Sequence, residues 1–186
     1  MPNAHRYEGL HITAFATSAA IVYGILHDQV TAHVCVEYFT IAHPPVFPTT
    51  SPFLLAIGWG VIATWWVGLP LGVALALAAR VGGAPRLTLL ELRLPILVLM
   101  LTSGVLALIS GLVGAALVAS GLAEIPGGWA ETIPPAKHVA FSADAWAHVA
   151  SYASGAVGGL ILIAHTVWRR HVRSTSDRST FKVDGL

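Results

Sequence analysis

Four uninterrupted apolar runs, at about 10–30, 53–79, 94–122 and 148–168, alternate along the chain with shorter polar connections. Each run can cross a hydrocarbon core about 30 Å thick, which takes roughly 20 residues of helix. The pattern predicts an all-α fold, an integral membrane four-helix bundle, followed at 169–186 by a basic, mobile tail. The first run does not read as a cleavable leader. Its basic flank is the single Arg6, it is long, and the polar pair His27-Asp28 stands where small residues would mark a cleavage site.

Composition agrees with the pattern. Of 186 residues, 55% are hydrophobic and only 10% charged, and the mean hydropathy is +0.73, outside the range of a water-soluble domain. The surrounding partner is therefore a lipid bilayer.

The net charge of +1 hides a strong polarity. Short cytoplasmic loops retain Lys and Arg, and Arg6, Arg80, Arg86, Arg93, Arg169, Arg170, Arg173, Arg178 and Lys182 all fall on one side of such a bundle. Only Lys137 falls on the other. Both termini and the connection between the second and third helices are thus expected in the cytoplasm, with the two longer connections on the outer side.

The first helix is longer than a simple span. If helical from Leu10 to Ile41 it would reach roughly 45–50 Å at 1.5 Å per residue, so its last turns must project from the bilayer or bend along it. Pro44, Pro45, Pro48 and Pro52 end it, and with no Gly the connection reads as an ordered cap. Ser103, Ala107, Gly111 and Ala115 recur at four-residue spacing in the third helix, and Gly155 and Gly159 form a GxxxG pair in the fourth. Such small residues let helix backbones approach closely, within one bundle or across a homodimer.

The candidate chemistry lies on the outer side. A charged side chain in or beside a bilayer is expensive and usually functional, and His27, Asp28, His33, Glu37 and His43 crowd into a stretch free of Lys and Arg. His33 and Glu37 are four apart, as are Asp144 and His148, and residues so spaced share a helical face. Two helices meeting at one membrane face would each offer an imidazole and a carboxylate. That donor set suits zinc, iron or manganese. The expected metal ligands are drawn from His33, Glu37, Asp144 and His148, with His27 and Asp28 as further ligands or supporting hydrogen-bond partners. They cannot all serve one ion, because His27 and Glu37 stand about 15 Å apart along a straight helix.

Haem offers a second cofactor reading, with His11 and His165 at one level and His27 and His148 at the other. Helical rotation opposes two stacked haems, since the two histidines on each helix face different ways. A single buried-type cysteine, Cys35, excludes an internal disulfide. No nucleophile elbow or phosphate-binding loop is present, no basic aromatic surface points to nucleic acid, and the helix centres hold only small hydroxyls, a weak basis for coupled ion transport.

The run 27–44, and less closely 146–152, resembles uncharacterised bacterial inner-membrane proteins of similar length. The resemblance implies a bacterial inner-membrane location and no particular activity. Three functions follow as expectations: a metal site that activates water or oxygen chemistry, a non-catalytic subunit whose polar face docks a membrane protein partner, or a b-type haem electron-transfer protein.

Overall fold

The computed structural model of the chain describes residues 7–183, with side chains through Thr175. Four long helices form the bundle: α1 (Glu8–Val34), α3 (Pro52–Arg80), α4 (Leu89–Ala119) and α5 (His138–Val183), with a short α2 (Val36–Thr40) between the first two. All four long helices meet the length and hydropathy needed to cross a membrane. Their outward faces are as apolar as their inward ones, with Leu101 70% and Leu112 63% exposed. A surface of that kind is stable only in lipid; the chain is a multi-pass membrane bundle.

The bundle is assembled from two tight pairs, α1 on α3 and α4 on α5. The α1–α3 seam is built from small residues. A β-carbon at Gly60 would stand 2.5 Å from the Ile25 Cα, and one at Gly24 would stand 2.6 Å from the Gly60 carbonyl oxygen. Gly68 and Gly72 extend the seam against Ala20, Thr17 and Ala16. In the second pair, Gly111 lies on Ala143 and Ala147, while Gly114 receives Trp146. The expected Gly155–Gly159 seam divides differently: Gly159 faces Leu71, whereas a β-carbon at Gly155 would meet nothing within 4 Å.

Local chemistry sets the helix ends. Thr88 and Glu91 form a reciprocal capping box at the start of α4. Gly121, at φ 71°, closes the other end in a Schellman arrangement, with Gly121 N–H donating to Val118 and Leu122 N–H to Leu117. α5 starts ten residues before the apolar run that announces it, because Pro134 and Pro135 open a 3₁₀ turn that leads directly into His138.

α1 departs most from the sequence expectation. It stops at Val34, Cys35 turns extended at φ −147° and ψ 91°, and the chain resumes as α2. The break folds Tyr38 and Phe39 back over the bundle end. Phe47 packs on Gly58 and Trp59, making the proline-rich connection the ordered cap expected of it.

At the opposite end, α5 continues to Val183, into the residues read as a tail. Arg170 is 5% exposed and donates to four carbonyls that close α3 and its connection: Ala78 at 2.5 Å, and Val81, Ala84 and Pro85 at 2.8 Å each. Arg173 pairs with Glu91 at 2.7 Å, and Glu8 accepts from the Leu89 N–H at 2.6 Å. Arg6 and the side chains of Arg178 and Lys182 lie outside the described residues.

The Arg170 latch makes a prediction. Charge-assisted hydrogen bonds contribute about 1.5–3 kcal/mol each and a rigid fork cannot be copied by an ammonium. Arg170→Ala should lower the thermal unfolding temperature in detergent by an amount equivalent to about 2 kcal/mol or more, with Arg170→Lys recovering only part. Equal melting of all three proteins would contradict the latch.

Candidate metal centre

His27 and Asp28 occupy the last two turns of α1, and His148 lies on the third turn of α5, so the interhelix contact joins residues 120 apart in sequence. The His148 ring is fixed at both nitrogens. Nδ1 lies 2.8 Å from the Asp144 backbone oxygen, which can only accept, so Nδ1 carries a proton. Nε2 then faces inward, 3.3 Å from Asp28 Oδ1. A carbonyl that holds one imidazole nitrogen and aims the other is the usual support of a metal-bound histidine.

The third group is His27. Its ring meets His148 edge to face, with centroids 4.7 Å apart, and its Nε2 is buried without a hydrogen-bond partner. Donor atoms of His27, Asp28 and His148 all lie within 4.8 Å of one another. The centre of such a triangle lies within about 2.8 Å of each corner, against roughly 2.0–2.2 Å for zinc bonds to imidazole and carboxylate, so a contraction below 1 Å would bring all three donors to bonding distance of one ion. Asp28 is 4% and His148 8% exposed, and an isolated charge at that depth would be costly without a partner.

Aromatic rings cover the cluster. Tyr38 stacks on His148 at 4.4 Å and Phe39 meets it edge-on at 5.8 Å. Tyr23 stacks on His27 at 5.8 Å and holds Ser151 Oγ at 2.8 Å, bridging α1 to α5 just beneath. His43 fixes the cover: its Nδ1 donates to the Tyr38 carbonyl at 2.8 Å and its ring packs on Trp59 at 4.8 Å. Below the cluster a cavity of about 100 Å³ runs between the helices, bordered by Tyr152 and Ser151 at the polar end and by Gly155, Leu71 and Leu99 further in.

The structure brings together only part of the expected ligand set. His27, Asp28 and His148 converge, and Asp144 supports His148 through its backbone while its Oδ2 stays buried and unpartnered. His33 and Glu37 do not join them. The break at Cys35 destroys the shared face that their spacing implied: His33 is exposed and its Nδ1 donates to the Gln29 carbonyl at 2.7 Å, whereas Glu37 pairs with Lys137 at 3.1 Å. Burial works to raise the Glu37 carboxyl, but its own backbone N–H, Lys137 and the Cys35 thiol outweigh it and hold the group below the usual carboxylate range. Burial, with the Glu37 and Asp144 carboxylates adding, pushes the Cys35 thiol up to about 12, which makes it inert at neutral pH.

His27 and His148 touch directly, with no gap for a macrocycle between them, while His11 and His165 are both exposed on their helices. Tyr23, Tyr38 and Ser151 are the functional neighbours that sequence reasoning missed. Tyr23 and Ser151 could have been found at helical spacing from His27 and His148; Tyr38 lies past the break and carried no such signal.

The cover holds a titratable ring, His43. Burial, foremost, and the nearby His148 hold His43 below its ordinary 6.5, while the Tyr38 carbonyl and Asp28 oppose them. A histidine depressed in the folded state stabilises it fully above about pH 6.5, and that contribution is lost as pH falls through the folded value. Amide exchange in residues 36–51 should therefore accelerate between pH 7.5 and 5 beyond the intrinsic chemical trend, and His43→Asn should flatten the change; an identical profile in the variant would remove His43 as the cause. No known protein family matches the chain, and no curated protein or solved structure matches it significantly.

Proposed function

We propose that the chain is a membrane-embedded metalloprotein that holds a divalent transition ion, zinc, iron or manganese, through His27 Nε2, the Asp28 carboxylate and His148 Nε2. The observation that carries this reading is the unpartnered, buried His27 Nε2 beside a His148 ring already aimed by the Asp144 carbonyl. Two imidazoles and one carboxylate form the donor set of catalytic zinc sites and of non-haem iron sites that keep open coordination positions. Three protein donors leave room for water or a substrate oxygen. A metal there supplies Lewis acidity and a nucleophilic hydroxide near neutral pH, and the Tyr38–Phe39 cover excludes bulk water from it. Asp144 Oδ2 is a nearby buried carboxylate oxygen without a partner, placed to take up a proton. The one-sided distribution of Lys and Arg supports cytoplasmic termini and a site near the outer face, and the resemblance of 27–44 supports a bacterial inner membrane.

One observation favours a second reading. Asp28 and His148 already satisfy one another at 3.3 Å, as a proton-sharing structural pair in a non-catalytic subunit would, docking a membrane protein partner or a second copy.

Metal content separates the two. Detergent-purified protein should carry near-stoichiometric zinc, iron or manganese by mass spectrometry, falling at least tenfold in His148→Ala and in His27→Gln, with His33→Ala unchanged. Background metal in the unaltered protein after reconstitution with each ion would leave the structural pair as the better reading.

A further inference from the structure

The two tight helix pairs leave a long groove between α1 and α4, about 680 Å³ in volume and open to the lipid side. Its walls run from Ala19 to Val34 on α1 and from Leu97 to Leu112 on α4, a length of about 22 Å at 1.5 Å per residue. One leaflet of the hydrocarbon core is about 15 Å deep. The groove can therefore sheathe a single lipid chain along its whole length.

Its polarity is graded along that length. The inner part is walled by Ala19, Val22, Leu97 and Leu101, whereas His27, Thr31 and Asp144 border the part near the capped end. Two of those polar groups lack partners. Asp144 is 1% exposed with Oδ2 unsatisfied, and His27 Nε2 is likewise buried and unsatisfied. A buried acceptor left unpaired is destabilising; His27 Nε2 is the atom assigned to the ion, and Asp144 Oδ2 is left to accept from a proton-bearing group. An apolar trough bordered at one end by an unpaired carboxylate oxygen is complementary to an amphiphile with a hydrogen-bond-donating head, lying as a lipid of the adjacent leaflet lies.

We infer that the α1–α4 groove binds a single-chain membrane amphiphile with a hydroxyl head, its chain along α4 and its hydroxyl donating to Asp144 Oδ2, next to His27. As an assignment of substrate class this rests on the metal reading, since the hydroxyl would arrive beside the proposed ion; as a binding site it does not. Gly104 gives the groove its width opposite Tyr23, whose ring would be 3.5 Å from a β-carbon there.

The test uses full-length protein in detergent, native mass spectrometry and oleyl alcohol as the probe, with its methyl ether as the donor-free control. One alcohol should remain bound at low micromolar probe, at least tenfold more tightly than the ether. Asp144→Leu, which keeps the backbone carbonyl that holds His148, should erase that preference, and Gly104→Trp or Val105→Trp should abolish retention without changing metal content. Equal retention of alcohol and ether, or full retention in both tryptophan variants, would overturn the groove site. Loss of metal binding with alcohol retention intact would overturn only the metal reading.

Discussion

At the capped end the two halves of the bundle are joined by a buried polar pair, His148 on α5 against Asp28 on α1. Lipid offers no partner to a polar side chain, so a carboxylate and an imidazole buried within helices must find each other or carry their full desolvation cost. They do so at 3.3 Å, and the His148 ring has no freedom left once Asp144 holds its other nitrogen. Tyr23 and Ser151 repeat the bridge one turn below. The α1–α3 and α4–α5 seams are close-packed surfaces of small residues; these polar bridges fix how the two pairs face each other.

Around that contact the molecule is built with different materials at its two ends. The capped end is aromatic, with Tyr38, Phe39, His43 and Trp59 stacked over the cluster. The opposite end is ionic, with Arg170 satisfying four carbonyls and Arg173 held by Glu91. Aromatic stacking tolerates small displacements of one ring over another, whereas a guanidinium fork does not. Opening of the bundle would accordingly begin at the cover while the Arg170 end stays closed.

The helices were legible because hydropathy in a membrane chain is a direct readout of the solvent, and each apolar run became a helix. Two of the convergent residues, His27 and Asp28, stood out for being polar inside such a run, and the backbone part of the Asp144–His148 spacing is present as a hydrogen bond. What failed was register beyond Cys35. Nothing in Val34-Cys35-Val36 is a helix breaker by propensity; the turn there is imposed by tertiary packing of Cys35, Ile125, Ile133 and Phe141, a long-range cause that local pattern cannot contain. The same blindness hid Arg170. Its charge read as topology, because carbonyls left open by a helix end some ninety residues earlier carry no signature in sequence.

The break at Cys35 also acts as a depth mark. A helix that must turn and lie along a surface does so where its environment changes from hydrocarbon to headgroup, and Asp28 lies seven residues before it, roughly 10 Å deeper at 1.5 Å per residue. Any ion reaching the cluster must shed most of its hydration shell on the way down. The lost water would then have to be replaced by the donors themselves, and a set with two imidazoles replaces it better for zinc or iron than for magnesium or calcium, which favour all-oxygen sites.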